Sequence, residues 1–420
     1  MAILIVLLIF AVAALMLFDT KKGILAAVAT RPLIDCFWEA KDSILGVKPT
    51  EINGVVLPLV ILFKIIISRE HKLFRSPFAV ALGIYSFYQF FPVLLMSSEE
   101  GMLKGLNYLF RSLHTFVGFV AFQEFFQERE DFKKLLLVHL WAGLIPLGMS
   151  FYQNILGGVI RTEETIGGLM RNIGFYHDAY TLRYYTLQTL AGLILYGAYF
   201  IKRGQVWLRR GLMALGLFCL FTIYRIFSKA GYLILAQWAT VWLVFKKQIV
   251  LLMMILVLGG LTVALARFTW VEDIQEVYSK ELGALKGQER VERALQGRVG
   301  GWLAAWDNWK RKPFSQQLFG SGTTALGAHN DFLRVLLGTG IIGLLLYLVI
   351  LAWALAKATV NVFRAATPLN IMALMLLLMW LIDAMGLVPG GYPGYQILVW
   401  GFVGLAFWGV GGLDDPGTNR

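Results

Sequence analysis

Residues Gly297–Arg334 read GRVGGWLAAWDNWKRKPFSQQLFGSGTTALGAHNDFLR and lie between two long apolar segments. The stretch begins with a basic residue, Arg298, and continues as a helix striped with tryptophan. It breaks at Pro313, then turns through Gly320, Gly322 and Gly327 to deliver His329 and Asn330 to the next apolar helix. Trp302, Trp306 and Trp309 fall at i, i+4 and i+7 and share one helical face. Proline lacks the N–H that a helix interior needs, so the helix stops at Pro313. The stripe reads first as an anchor at a membrane–water boundary, where tryptophan is favoured, and second as a platform on which sugar rings stack.

Outward from this stretch the chain is apolar. Hydrophobic residues make up 58% of the 420 positions and mean hydropathy is +0.67; a soluble globular chain sits nearer ~45–50% apolar. The net charge of +12 suits basic loops that orient membrane helices, so nucleic acid is not implied. Two distant cysteines, Cys36 and Cys219, form neither a disulfide framework nor metal-ligand spacing. The sequence shows no nucleotide-binding glycine motif and implies no cofactor or metal.

A spanning helix needs about 20 mostly apolar residues. Twelve segments qualify, near 3–18, 54–68, 77–95, 105–127, 134–152, 178–200, 208–226, 229–245, 249–266, 331–356, 368–388 and 395–412. The run near 3–18 lacks a basic start and a cleavage site, so it is read as a first helix. The expectation is an all-α polytopic membrane protein with about 12 transmembrane helices. Helices 1–9 fall within 1–266, one large helical periplasmic loop within 267–330, and helices 10–12 within 331–420. Within that loop Val271, Ile274, Val277, Leu282 and Leu285 predict an amphipathic helix. Lys and Arg mark cytoplasmic loops. Arg69–Arg75, Arg129–Lys134, Lys202–Arg210, Lys246–Lys247 and Lys357–Arg364 are therefore placed inside. Segments 19–53, 96–104, 153–177, 227–230, 267–330 and 389–394 are placed outside.

The 298–345 region resembles the O-antigen ligase and polymerase family of bacterial membrane proteins. The resemblance rests on Arg298, Trp302 four residues on, the turn Leu318-Phe319-Gly320-Ser321-Gly322, His329-Asn330, and Gly338-Thr339-Gly340-Ile341-Ile342-Gly343. One departure is Ser228-Lys229-Ala230-Gly231, where the family shows Ser-Arg-Gly; lysine keeps the charge but loses the planar fork. The resemblance implies a C-type glycosyltransferase-like fold in the bacterial inner membrane with its active site facing the periplasm or exterior. It also implies metal-independent transfer of a glycan from a polyprenyl (undecaprenyl) pyrophosphate carrier to a glycolipid, glycan or protein acceptor.

The residues point the same way. Ionisable groups within a membrane are costly and mark function. On this topology Arg111, His114, Arg183, Arg225, Lys229, Arg298, His329 and Arg334 all lie in or near the outer half, where carboxylates are few and Asp383 is the clearest. An excess of cations at low dielectric calls for a polyanion such as a lipid pyrophosphate. His329 is assigned as the base, or the holder of the acceptor oxygen, with Arg298 its catalytic partner. Arg225, Lys229 and Arg183 are assigned to the pyrophosphate, and Trp302, Asn330, Arg334, Arg111 and His114 to acceptor or glycan contacts. Each has a structural alternative: Arg298 paired with Glu292 or Asp307, Arg225 with Asp383, His329 a polar residue at a helix entry. Within the family, a polymerase of lipid-linked repeat units is the alternative to a ligase. Outside it, a flippase or exporter needs ionisable groups through the membrane depth, for which Lys64, Glu124 and His139 form no obvious path.

Overall fold

A computed structural model of the chain describes residues 2–39, 48–67, 76–96, 102–164, 169–202, 204–254, 278, 283, 298–322 and 329–413. It is mostly helical. The first eight helices are α1 Ala2–Phe18, α2 Thr20–Asp35, α3 Pro49–Ile67, α4 Pro77–Tyr88, α5 Phe90–Met96, α6 Met102–Ser112, α7 His114–Phe125 and α8 Arg129–Asn154. The next three are α9 Ala179–Phe200, α10 Val206–Arg225 and α11 Lys229–Phe245. The last five are α12 Arg298–Arg311, α13 Phe314–Phe319, α14 Asp331–Arg364, α15 Pro368–Gly386 and α16 Pro393–Trp408. Between α8 and α9 a short antiparallel hairpin pairs β1 Thr162–Glu164 with β2 Met170–Asn172. The hairpin is a departure from the all-helical expectation.

Among the described residues six stretches are long and apolar enough to cross a membrane: α3, Pro77–Leu94, α8, α10, α14 and α15. They coincide with six of the twelve expected spans, and the molecule has the character of a membrane protein. The other expected spans differ for identifiable reasons. Helices α1 and α11 are apolar but 17 residues long, and α16 has 16. Helix α9 has the length but carries Arg183, Gln188 and a run of tyrosines. The stretch 105–127 divides at Leu113 into α6 and α7. The segment 249–266 lies mostly outside the described residues, as does most of the amphipathic stretch 271–285.

The segment 19–53, expected as a loop, contains α2. Asp19 caps it by accepting from the Lys22 N–H, and it folds back on α1 and packs along α8. Its charges had hidden it, and they are matched: Arg31 pairs with Asp35 one turn on at 3.0 Å, and Lys21 pairs with Asp131 at the start of α8.

Helices α7 and α16 form the centre. A Cβ at Gly118 would overlap the backbone of Ile397, and one at Gly404 the carbonyl of Phe119. Small residues let the two backbones approach, as is usual between helices in lipid. Trp380, Trp400, Phe119 and Phe122 fill the space around them.

Helix α14 breaks at Gly340, whose φ of 70° no ordinary helix residue adopts. The break releases carbonyls that the helix would otherwise satisfy. Ser321 N donates to Leu337 O at 3.1 Å and Gly322 N to Gly338 O at 3.0 Å, while Tyr88 Oη donates to Thr339 O at 3.3 Å. A Cβ at Gly320 would overlap the Gly338 carbonyl, and one at Gly340 the Leu318 carbonyl. The glycine turn therefore serves backbone-to-backbone contact with α14.

Candidate functional site

The starts of α9, α11 and α14 and the ends of α10 and α15 meet at one end of the bundle. They enclose a cavity of about 520 Å³ whose walls include Arg183, Lys229, Arg298, Trp302 and His329. These five come from four separate parts of the chain.

Each wall has a local cause. At the start of α9, Asp178 caps the helix by accepting from the Thr181 N–H and Oγ1–H, both at 2.8 Å. Its other oxygen accepts from Tyr392 Oη at 2.8 Å. One turn on, Arg183 is 2% exposed. Its guanidinium pairs with Asp383 of α15 and donates to Ser228 Oγ at 2.7 Å. Asp383 also accepts from Tyr395 Oη at 2.8 Å. Ser228 caps α11, accepting from Gly231 N at 3.2 Å. The buried arginine thus fixes the start of α11, whose Lys229 and Ala230 face the cavity. Lys229 Nζ sits 5.7 Å from the centre of the Tyr278 ring.

Helix α12 supplies Arg298 in its first turn and Trp302 one turn later, and it ends before Pro313, as the spacing predicts. Trp306 and Trp309 stack at 4.9 Å further along. Of the carboxylates in the wall, Glu163 pairs with Arg171 and Asp383 with Arg183, and Asp178 is held as above. Among the described residues no carboxylate pairs with Arg298, and Asp307 instead meets Lys310 at 3.5 Å. Burial, and then the neighbouring Arg183 and Arg171, hold the Arg298 guanidinium below the usual arginine value, with Asp383 opposing. Arginine stays charged all the same, so an anion beside it would relieve that unfavourable field. Gly386 leaves room for it: a Cβ there would sit 3.1 Å from an Arg298 guanidinium nitrogen.

His329 also lines the cavity, with φ of 46°, and Phe227, in the same lining, has φ of 49°. Left-handed backbone at non-glycine residues costs about 1–3 kcal/mol and concentrates at functional sites. The imidazole is open to the cavity, yet flanking protein removes enough water to lower its pKa. Arg298 lowers it further, and Asp178 opposes. Next in the chain, Asn330 caps α14 as expected, accepting from Leu333 N at 3.0 Å.

The other nominated residues are elsewhere. Arg225 donates to Asn154 Oδ1 at 2.9 Å, so it ties α10 to the end of α8; the partner of Asp383 is Arg183. Arg334 is buried against Asp331 at 2.6 Å. His114 is fully buried at the break between α6 and α7, its Nδ1 3.1 Å from Phe110 O and 3.0 Å from Arg111 O. Arg111 lines a second cavity, 3.8 Å from Glu51. Sequence reasoning missed Asp178, Ser228 and Tyr392. The Asp178-x-x-Thr181 and Ser228-x-x-Gly231 caps and the tyrosines of the 391–395 turn were the available signals.

No protein-family model matches the chain, and no curated protein is significantly similar to it.

Proposed function

We propose that the protein is a membrane glycosyltransferase of the O-antigen ligase type, moving a glycan from a polyprenyl-pyrophosphate carrier to an acceptor hydroxyl. One observation carries this reading: Arg183, Lys229, Arg298, Trp302 and His329 wall a single cavity at one end of the bundle. The far ends of the same helices carry Lys202, Arg209, Lys246, Lys357 and Arg364. Basic residues mark the cytoplasmic side, so the cavity faces outward, toward the periplasm of a bacterial inner membrane. On this reading the Lys21–Asp131 contact puts the α1–α2 turn at the basic end, against its placement outside with segment 19–53.

In this site the anomeric carbon of the donor lies between two groups. On one side the pyrophosphate rests against Arg298, Lys229 and the start of α11, whose free N–H groups favour anions. On the other, His329 accepts the acceptor hydroxyl proton. The acceptor oxygen bonds to the anomeric carbon, and the bond to the phosphate oxygen breaks. The lipid pyrophosphate leaves with the electron pair. Its charge grows as it departs, so preorganised cations lower the barrier. Arg183, already engaged by Asp383 and Ser228, positions Lys229 and is not itself the clamp.

The test is the product mass when purified protein in lipid nanodiscs meets a polyprenyl-pyrophosphate oligosaccharide and an acceptor glycan. A product heavier than the acceptor by the donor glycan, lost in His329→Ala, is expected. Unchanged masses with the wild-type protein, or near-normal turnover by His329→Ala, would overturn the reading.

A further inference from the structure

Beside the first cavity lies a second, of about 560 Å³. Asp178, His329, Leu387 and Tyr392 face both, so they form a shared wall with the imidazole in it. The two chambers differ in charge. In the second, two of the three strong cations in the lining face a carboxylate, and the third, Lys48, has its Nζ 6.0 Å from the centre of the Trp38 ring. Arg31 pairs with Asp35 at 3.0 Å, and Arg111 lies 3.8 Å from Glu51. The Lys48 backbone N–H donates to Glu51 at 3.1 Å. Three cationic side chains, Arg31, Lys48 and Arg111, face three carboxylates, Asp35, Glu51 and Asp178. Asp35 accepts from Tyr184 Oη at 3.0 Å and Tyr185 Oη at 2.7 Å. Arg31 is 8% exposed and its Nη1 has no partner. The chamber is dense in both donors and acceptors, with no net charge.

A phosphorylated or carboxylated ligand would meet those three carboxylates and gain little, because they offset the three cations and two of these already face a carboxylate. A ligand bearing many hydroxyls, each both donor and acceptor, fits such a lining. We propose that the second cavity is the acceptor subsite and that it takes a neutral, polyhydroxyl sugar in preference to a phosphorylated or acidic one. The proposal rests on the glycosyl-transfer reading and adds the acceptor's chemistry. The acceptor hydroxyl reaches through the shared wall. Its proton passes to His329, its oxygen bonds to the anomeric carbon held in the first cavity, and the lipid pyrophosphate leaves with the electrons of the broken bond.

The experiment uses the full chain in nanodiscs with a polyprenyl-pyrophosphate oligosaccharide donor. Acceptors are neutral hexose and N-acetylhexosamine oligosaccharides and the same rings carrying phosphate. The neutral series is expected to be used at least tenfold more efficiently. Glu51→Gln, which removes the charge 3.8 Å from Arg111, is expected to raise the KM for the neutral acceptor about tenfold while the donor Kd holds. A folded Glu51→Lys protein is expected to narrow the preference against phosphate. If the wild type transfers but prefers phosphorylated rings, or if Glu51→Gln leaves the acceptor KM unchanged, the acceptor assignment falls alone. If Glu51→Gln shifts donor Kd and acceptor KM together, it also falls. If the wild type forms no glycosidic bond with any acceptor, both readings fall.

Discussion

Two arginines at the same end of the bundle hold different positions. Arg183 is almost fully buried, paired with Asp383 and bonded to the Ser228 cap. Arg298 stands at a cavity edge, pairs with no carboxylate among the described residues, and feels two like charges that Asp383 opposes in part. A buried cation with its counter-charge is part of the frame. A cation held beside other cations, facing open volume, is arranged for an anion that comes and goes. Charge and location nominated both residues for the site; their partners separate them.

The sharpest way to break this comparison is to remove each side chain and ask what is lost. Arg183→Ala strands Asp383 in the interior, and breaking a buried pair typically costs about 3–5 kcal/mol. Thermal unfolding in detergent should show that loss, and Arg183→Met with Asp383→Leu should recover part of it. Arg298→Ala should leave the unfolding temperature near wild type and lower the transfer rate by about 10²–10³-fold, the usual effect of losing one transition-state contact. If the two variants exchanged these phenotypes, the division between frame and site would be wrong. Arg298→Lys keeps the charge and loses the fork, so a smaller rate loss, about tenfold, is expected from initial rates.

The imidazole offers a finer measure. Burial and Arg298 lower the His329 pKa, so its neutral, proton-accepting form persists below the ordinary value near ~6.5. The acid limb of kcat/KM should therefore fall below that pH. Arg298→Gln removes one of the two lowering influences and should move the His329 titration upward, read from its ring proton resonance. A downward shift, or none, would show that the two side chains do not share a field.

Much of the frame was legible because membrane helices announce themselves by long apolar runs, and six such runs coincide with helical stretches long and apolar enough to cross a membrane. The tryptophan helix and its stop at Pro313 were equally plain. Helix α2 was not, since Lys21, Lys22, Arg31 and Asp35 lower its hydropathy, and only tertiary contact shows that Lys21 is matched by Asp131. The Gly320–Gly322 turn was legible as a turn, but its packing against the broken backbone of α14 was not. Asp383 was visible as an isolated carboxylate, but its partner depends on which helix ends meet, and Arg183 lies nearer than Arg225. The hairpin at 162–172 has strands of three residues, too short for alternation to register.

The most direct measurement is the affinity for undecaprenyl pyrophosphate, compared with the monophosphate, of wild type, Arg298→Ala and Arg225→Ala. The account predicts that the wild type prefers the diphosphate, that Arg298→Ala loses at least tenfold in affinity for it, and that Arg225→Ala, tied to Asn154 outside the cavity, keeps it. Equal diphosphate affinity in wild type and Arg298→Ala would contradict the account.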